Sequence, residues 1–212
     1  MKSILAFGDS LTYGTVALKS LRHPFEVRWP NVLAAGLNGK ARVIEEGMGG
    51  RTTVFPDPTE DAERNGIVAL PMLLKTHEPL DLVIIMLGTN DIKFANRCRA
   101  FDAALGMERL VNTIKRFPFN ENYKRPEILI MSPPHLVKTS DAWFNELWGH
   151  AIEESKLFAK HYKNVADETG VHFFDTNTVA KADETDGGHL DAENTSAIGR
   201  ALIPVVKKIL EI

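Results

Sequence analysis

Five short runs of almost purely apolar residues, separated by helix-like stretches, constrain this chain more than any other feature. They occupy residues 3–7 before Gly8, 41–44 ahead of Gly47-Met48-Gly49-Gly50, 82–87 before Gly88, 128–131 before Ser132-Pro133-Pro134, and 171–174. A strand apolar on both faces must be covered on both faces, which is the condition of a parallel sheet. Helical patterns fill the intervals. Residues 29–37 form one, with Gly39 as its stop, and residues 60–77 another, broken near Pro71. Ala104, Met107, Leu110, Val111 and Ile114 share a third face, and Leu147, Ala151, Ser155, Phe158, Tyr162 and Val165 a long fourth, ended by Gly170. Asp191 caps a last helix burying Ile198, Leu202, Val205, Val206 and Ile209, with a kink expected at Pro204. The alternation predicts an α/β fold, a three-layer α/β/α sandwich with residues 82–87 as its central strand. In such a sheet ligands bind outside the carboxyl ends of the strands, so chemistry is expected after Phe7, Ile44, Leu87, Met131 and Phe174.

The 212 residues, against about 150 for a typical domain, and the lack of linker, repeat or composition shift make 1–212 one expected domain. With 44% hydrophobic residues the chain can bury a sizeable core. Its 25 Lys+Arg against 28 Asp+Glu leave a net charge of -3 and no basic stripe, which argues against a nucleic-acid partner. Cys98 is the one cysteine, so neither an intrachain disulfide nor a thiolate zinc site is expected, and a reducing cytoplasm fits. The apolar stretch after Lys2 closes at Gly8 and Asp9, too short for the core of a secretion signal. No window reaches the ~18 apolar residues of a membrane helix, so no membrane partner is expected.

Ser10 follows the first strand in a glycine-permitted turn, where its hydroxyl can stand at the mouth of a site. Its bland use is as N-cap of a helix beginning at Leu11, the commoner role for Gly-Asp-Ser alone. Asp186-Gly187-Gly188-His189 sets a carboxylate three residues before an imidazole, where one turn can bring both to the same side. Imidazole can then take a serine proton through one nitrogen while Asp186 orients it through the other. A surface turn or half of a metal site is the alternative, but no second ligand cluster accompanies the pair, so no metal is expected. Gly47–Gly50 can turn backbone N–H groups inward, and the Asn90 amide in Gly88-Thr89-Asn90-Asp91 can donate to a developing oxyanion. Ordinary turn chemistry would also use these residues. What weighs is that all of them fall where the sheet would gather them.

Residues 8–14 (GDSLTYG), the glycine of 47–53 (GMGGRTT), 88–91 (GTND) and 186–189 (DGGH) resemble, in order, the four signature blocks of the SGNH (GDSL-type) hydrolases. The longer phrases VIEEG, GRTT, LDLVIIMLGTND, ALGM and SPPHL resemble the bacterial arylesterase/acyltransferase branch. The resemblance implies a flavodoxin-like five-stranded parallel sheet, Ser10 as nucleophile, His189 as base and Asp186 as its orienting carboxylate. It implies an oxyanion hole of the Ser10 N–H, the Gly50 N–H and the Asn90 side chain, with no cofactor. It also implies a homo-oligomer, in that branch often an octamer, whose neighbouring subunits narrow the active-site entrance; residues 56–65 and 93–100 are the candidate contacts. Where the branch carries tryptophans after the serine, this chain has Tyr13 and Thr15.

The expected activity is a serine esterase acting on small short-acyl esters of aryl, alkyl or sugar alcohols through an acyl-serine. The alternatives are an acyltransferase, thioesterase or lysophospholipase on the same machinery, or a noncatalytic small-molecule or carbohydrate-binding module. Tyr13, Arg51, Trp143 and Phe144 are further candidates for substrate contact; Arg51 is more readily read as holding a neighbouring loop through a carboxylate. Asp9 and Asp91 are expected to order their loops. Of the other histidines only His135 lies near the proposed mouth. Cys98, between Arg97 and Arg99, could have its pKa lowered by two cations but has no evident base, and is read as incidental.

Overall fold

A computed structural model describes residues 1–212 of the chain. Five strands, β1 (Lys2–Gly8), β2 (Ala41–Gly47), β3 (Leu82–Met86), β4 (Glu127–Ser132) and β5 (His172–Asp175), pair in parallel in the order β2-β1-β3-β4-β5. This is the flavodoxin-like order implied above. The helices are α1 (Ser10–Tyr13), α2 (Trp29–Gly36), α3 (Gly66–His77), α4 (Ala100–Arg116), α5 (Ala142–Trp148), α6 (Ile152–Ser155), α7 (Phe158–Thr169) and α8 (Ala192–Leu210). Alternate residues of the strands feed two cores. Leu5, Phe7, Val83, Ile85, Ile128 and Ile130 pack with α3, α4 and α7, whereas Ile4, Ala6, Leu82, Ile84, Leu129 and Met131 pack with α2 and α8. β3 is buried at every position, as its unbroken apolar sequence requires.

Several boundaries differ from the sequence expectation, each for a physical reason. β2 runs three residues past Ile44, because as an edge strand it tolerates Glu45 and Glu46; they pair with Arg22, Arg28 and His77. The helix expected from residue 60 begins at Gly66. Asn65 caps it by accepting from the Ile67 N–H, while residues 57–64 fold into turns around Asp57 and Arg64. α3 continues through Pro71, whose missing hydrogen bond is outweighed by burial of Leu70, Leu73 and Leu74. α8 likewise passes Pro204 without interruption, on its exposed side, and the deepest residue of its last turn is Leu210. The long helix expected around residues 147–165 is divided into α5, α6 and α7. Trp148 turns inward to donate to the Thr89 carbonyl, and Ser155 accepts from the Leu136 N–H, so tertiary partners override the helical period.

Two close approaches set the geometry at the carboxyl end of the sheet. β1 lies between β2 and β3, so its following turn opens into the crevice where strand order reverses. A β-carbon on Gly47, at the end of β2, would lie 2.1 Å from the Tyr13 backbone nitrogen and 2.6 Å from the Thr12 carbonyl carbon. Only glycine lets α1 rest on β2. Gly47→Ala is therefore expected to destabilise the fold by about 1–3 kcal/mol in equilibrium urea unfolding. Gly49→Ala, where an added β-carbon meets nothing within 4 Å, should leave stability unchanged or slightly raised; equal effects of the two changes would refute the packing argument.

Candidate active site

Asp186 and His189 are joined within one tight turn. Asp186 Oδ1 accepts from the backbone N–H groups of Gly188 at 3.0 Å and His189 at 2.9 Å, and Oδ2 lies 2.6 Å from His189 Nδ1. The three-residue spacing thus lets one carboxylate both close the turn and aim the ring. Gly187 has φ +81°, a left-handed conformation that favours glycine, and its carbonyl accepts from the Val137 N–H at 2.9 Å. The flanks are pinned too: Asp183 N–H donates to the His189 carbonyl at 2.7 Å, and His23 Nε2 lies 2.9 Å from the Leu190 carbonyl. His23 is buried, and this contact makes it a locally satisfied imidazole.

At the other end of the chain, Asp9 rather than Ser10 caps α1, its Oδ1 accepting from the Leu11 N–H at 2.9 Å. The bland role proposed for Ser10 belongs to its neighbour, which frees the serine hydroxyl. Ser10 Oγ lies 3.0 Å from His189 Nε2, across 179 positions of sequence. Ser10, His189 and Asp186 therefore form one hydrogen-bonded line, through which a proton can leave the hydroxyl while the carboxylate stabilises the ring that receives it. Burial alone would raise the Asp186 pKa, but the His189 hydrogen bond and charge and the two backbone N–H groups outweigh it and hold the carboxyl below its ordinary value.

The two donor loops flank this line. Gly50 is the third residue of a turn closed by Arg51 N–H to Met48 O at 3.1 Å; its φ of +78° suits glycine, and its N–H donates to no protein group. Asn90 Nδ2 donates to the Arg51 carbonyl at 3.1 Å and makes only a long contact, 3.5 Å, to Asp9 Oδ2, so its second hydrogen is weakly held and can turn to a stronger acceptor. Asp91, fully buried, accepts from the Thr53 N–H and hydroxyl and so ties the loop after β3 to the loop after β2. Asp9 and Asp91 both order their loops, as expected. Burial pushes their carboxyls up to about 6 and about 7, respectively.

The remaining candidates separate. Phe144 lies beside the imidazole, its ring 6.0 Å from that of His189. Trp148, which sequence reasoning missed, stacks on Phe144 at 5.3 Å and approaches His189 at 6.2 Å, completing an apolar wall. Its spacing of four residues from Phe144 was the available signal. Trp143, one position earlier on α5, points away and is 72% exposed. Tyr13 is 38% exposed under the Arg22 guanidinium, 3.9 Å from the ring centroid. Arg51 holds a loop as expected, but through carbonyls instead of a carboxylate: Nη1 donates to Gly8 O at 2.8 Å and Glu46 O at 2.5 Å, with the guanidinium over the Phe7 ring. Its burial pushes its pKa down to about 10. Cys98 departs from the lowered pKa its arginine neighbours allowed. Burial, then Asp91 and Asp102, push the thiol up to about 11, and Arg99 is committed to Asp102. His135 is half-buried, its pKa lowered by burial, with its backbone N–H on Asn177 Oδ1. No group of three or more His, Cys, Asp or Glu side chains is placed to hold a metal ion, and no helix is long and apolar enough to cross a membrane.

Residues 6–195 match the GDSL-like lipase/acylhydrolase family. Among solved structures, a carbohydrate acetylesterase family member from Sinorhizobium meliloti is 47% identical over 100% of both chains, with a TM-score of 0.97. A second carbohydrate acetylesterase from that organism is 40% identical over 99% of this chain and 100% of its own, with a TM-score of 0.94. The aryl esterase of M. smegmatis is also 40% identical, over 99% of this chain and 100% of its own, with a TM-score of 0.95. No curated protein matches the chain. The chain belongs to the GDSL-like lipase/acylhydrolase family, with the SGNH hydrolase fold, and is a carboxylic ester hydrolase of the serine esterase type.

Proposed function

We propose that this esterase cleaves short-acyl esters of small aryl, alkyl or sugar alcohols through an acyl-serine, with Ser10 as nucleophile, His189 as base and Asp186 orienting it. The observation that carries the reading is the continuous line from Ser10 Oγ through His189 Nε2 and Nδ1 to Asp186 Oδ2, at 3.0 Å and 2.6 Å. Ser10 Oγ bonds to the ester carbonyl carbon as its proton passes to His189 Nε2. The carbonyl oxygen becomes an oxyanion that accepts from the Ser10 N–H, the Gly50 N–H and the second hydrogen of the Asn90 amide. As the intermediate collapses, the bond to the alcohol oxygen breaks and Nε2–H protonates the departing alkoxide. Water then repeats the sequence: it gives its proton to Nε2, attacks the acyl carbon, and Ser10 leaves with the proton returned. Phe144 and Trp148 supply an apolar side to the site, suited to an aryl ring or a sugar face.

The purified protein is expected to turn over p-nitrophenyl acetate and to be labelled at Ser10 by an organophosphonate; absence of both would favour a noncatalytic binding module. Asp186→Asn should lower kcat by about 10⁴, because the imidazole loses its tautomer and orientation. Asn90→Ala, folded by circular dichroism, should lose about 10²–10³ in kcat, and a full-rate Asn90→Ala enzyme would remove the amide from the hole. Cytoplasmic location and assembly into a homo-oligomer, up to an octamer, complete the proposal. Exposed Val68 and Met72 on α3, Phe101 and Leu105 on α4, and Phe94 in the expected contact loop support such a face. Light scattering should then report an assembly, and a monomer at micromolar concentration would count against it.

A further inference from the structure

Four charged side chains that the reaction does not use are gathered between the loops bearing Gly50 and Asn90. Lys93, 6% exposed, brings Nζ to 2.9 Å from Glu60 Oε1 and 3.3 Å from Asp57 Oδ2. Glu60 Oε2 lies 3.1 Å from Arg64 Nη2. One end of this network rests on Gly50: a β-carbon there would lie 2.9 Å from Arg64 Nε and 3.1 Å from Glu60 Oε1. The other end belongs to Asn90, whose carbonyl accepts from the Lys93 N–H at 3.4 Å and from Asn96 Nδ2 at 2.8 Å.

Stability alone is a poor account of this arrangement. Taking an ammonium and a carboxylate out of water costs about as much as their attraction returns, and apolar residues of similar volume would serve the fold as well. Arg64 Nε is buried with no acceptor, a further cost accepted in order to hold the guanidinium against Gly50. The geometry of the sheet supplies a reason. Gly50 follows β2 and Asn90 follows β3, and these strands are not neighbours, because β1 lies between them. Strand pairing therefore does not by itself fix the separation of the two donors.

We propose that the Asp57–Lys93–Glu60–Arg64 network positions the Gly50 N–H and the Asn90 amide relative to each other and so sets the strength of oxyanion stabilisation. The inference rests on the roles given to those two donors above. The Asn90–Arg51 and Asp91–Thr53 hydrogen bonds also join the loops, so loss of the network should loosen the hole without abolishing it. These four residues are positioning residues and touch no reacting atom.

The test is steady-state hydrolysis of p-nitrophenyl acetate by the full-length protein. Lys93→Met and Glu60→Gln should each lower kcat about tenfold with KM changed less than about twofold, and Lys93→Arg should recover most of the rate. In an Asn90→Ala background, Lys93→Met should remove less than about threefold more, because the donor it positions is already gone. If Lys93→Met fails to fold, Glu60→Gln, whose side chain is partly exposed, carries the same comparisons. Wild-type kcat in the folded variants, a rise in KM with kcat kept, or an undiminished loss in the Asn90→Ala background would each overturn the proposal. Full activity of Asn90→Ala itself would instead overturn the assignment of the donor, which separates the two failures.

Discussion

The carboxylate of Asp186 is divided between its own turn and the imidazole, and the geometry of the site depends on that division. One oxygen takes two backbone N–H groups and the other takes His189 Nδ1. Because the same group shapes the loop and aims the ring, the carboxylate oxygen that holds Nδ1 is itself fixed by the hydrogen bonds that form the turn. The ring's free nitrogen is thereby presented to Ser10 already oriented, which spares the reaction the entropy of finding that alignment.

Around this line the fold uses buried titratable side chains as fasteners between loops. Asp91 joins the β3 loop to Thr53, Arg51 joins the ends of β1 and β2, and Lys93 gathers Asp57 and Glu60. Such fastenings have a cost. Asp9 and Asp91 keep their protons to about 6 and about 7 in the folded chain, whereas an unfolded carboxyl releases its proton near 3.8. Raising the pH through that interval therefore withdraws stability, since the unfolded state ionises first. A site assembled from loops of several strands accepts that penalty because loops without fixed partners would not hold donors within a fraction of an ångström.

Much of this was legible in the residues. The alternation of apolar runs and helical faces predicted the parallel sheet, and the glycines after residues 7, 44 and 87 marked the ends where Ser10, Gly50 and Asn90 stand. Phe144 was found beside His189, but Trp143 was not, because neighbouring helix positions differ by about 100° and only one of them can face inward. Trp148 escaped notice because the helix expected through it is broken there. The break is made by a hydrogen bond to Thr89, a partner 59 positions away that leaves no local pattern. Arg51 was read as a loop fastener with the wrong acceptor, since which carbonyls lie within its reach depends on how β1 and β2 end side by side.

The sequence by itself determined what neighbouring residues can settle: strand and helix periods and the Asp186–His189 turn, whose bonds close within four consecutive residues. Tertiary structure alone decided the encounter of Ser10 with His189, the burial of Lys93 between Asp57 and Glu60, and the placing of Trp148 against the imidazole. Local rules act through backbone torsions and fixed spacing, which a single chain displays openly. Pairing across the sheet is chosen by packing and exclusion of water, which act only once distant segments have come together.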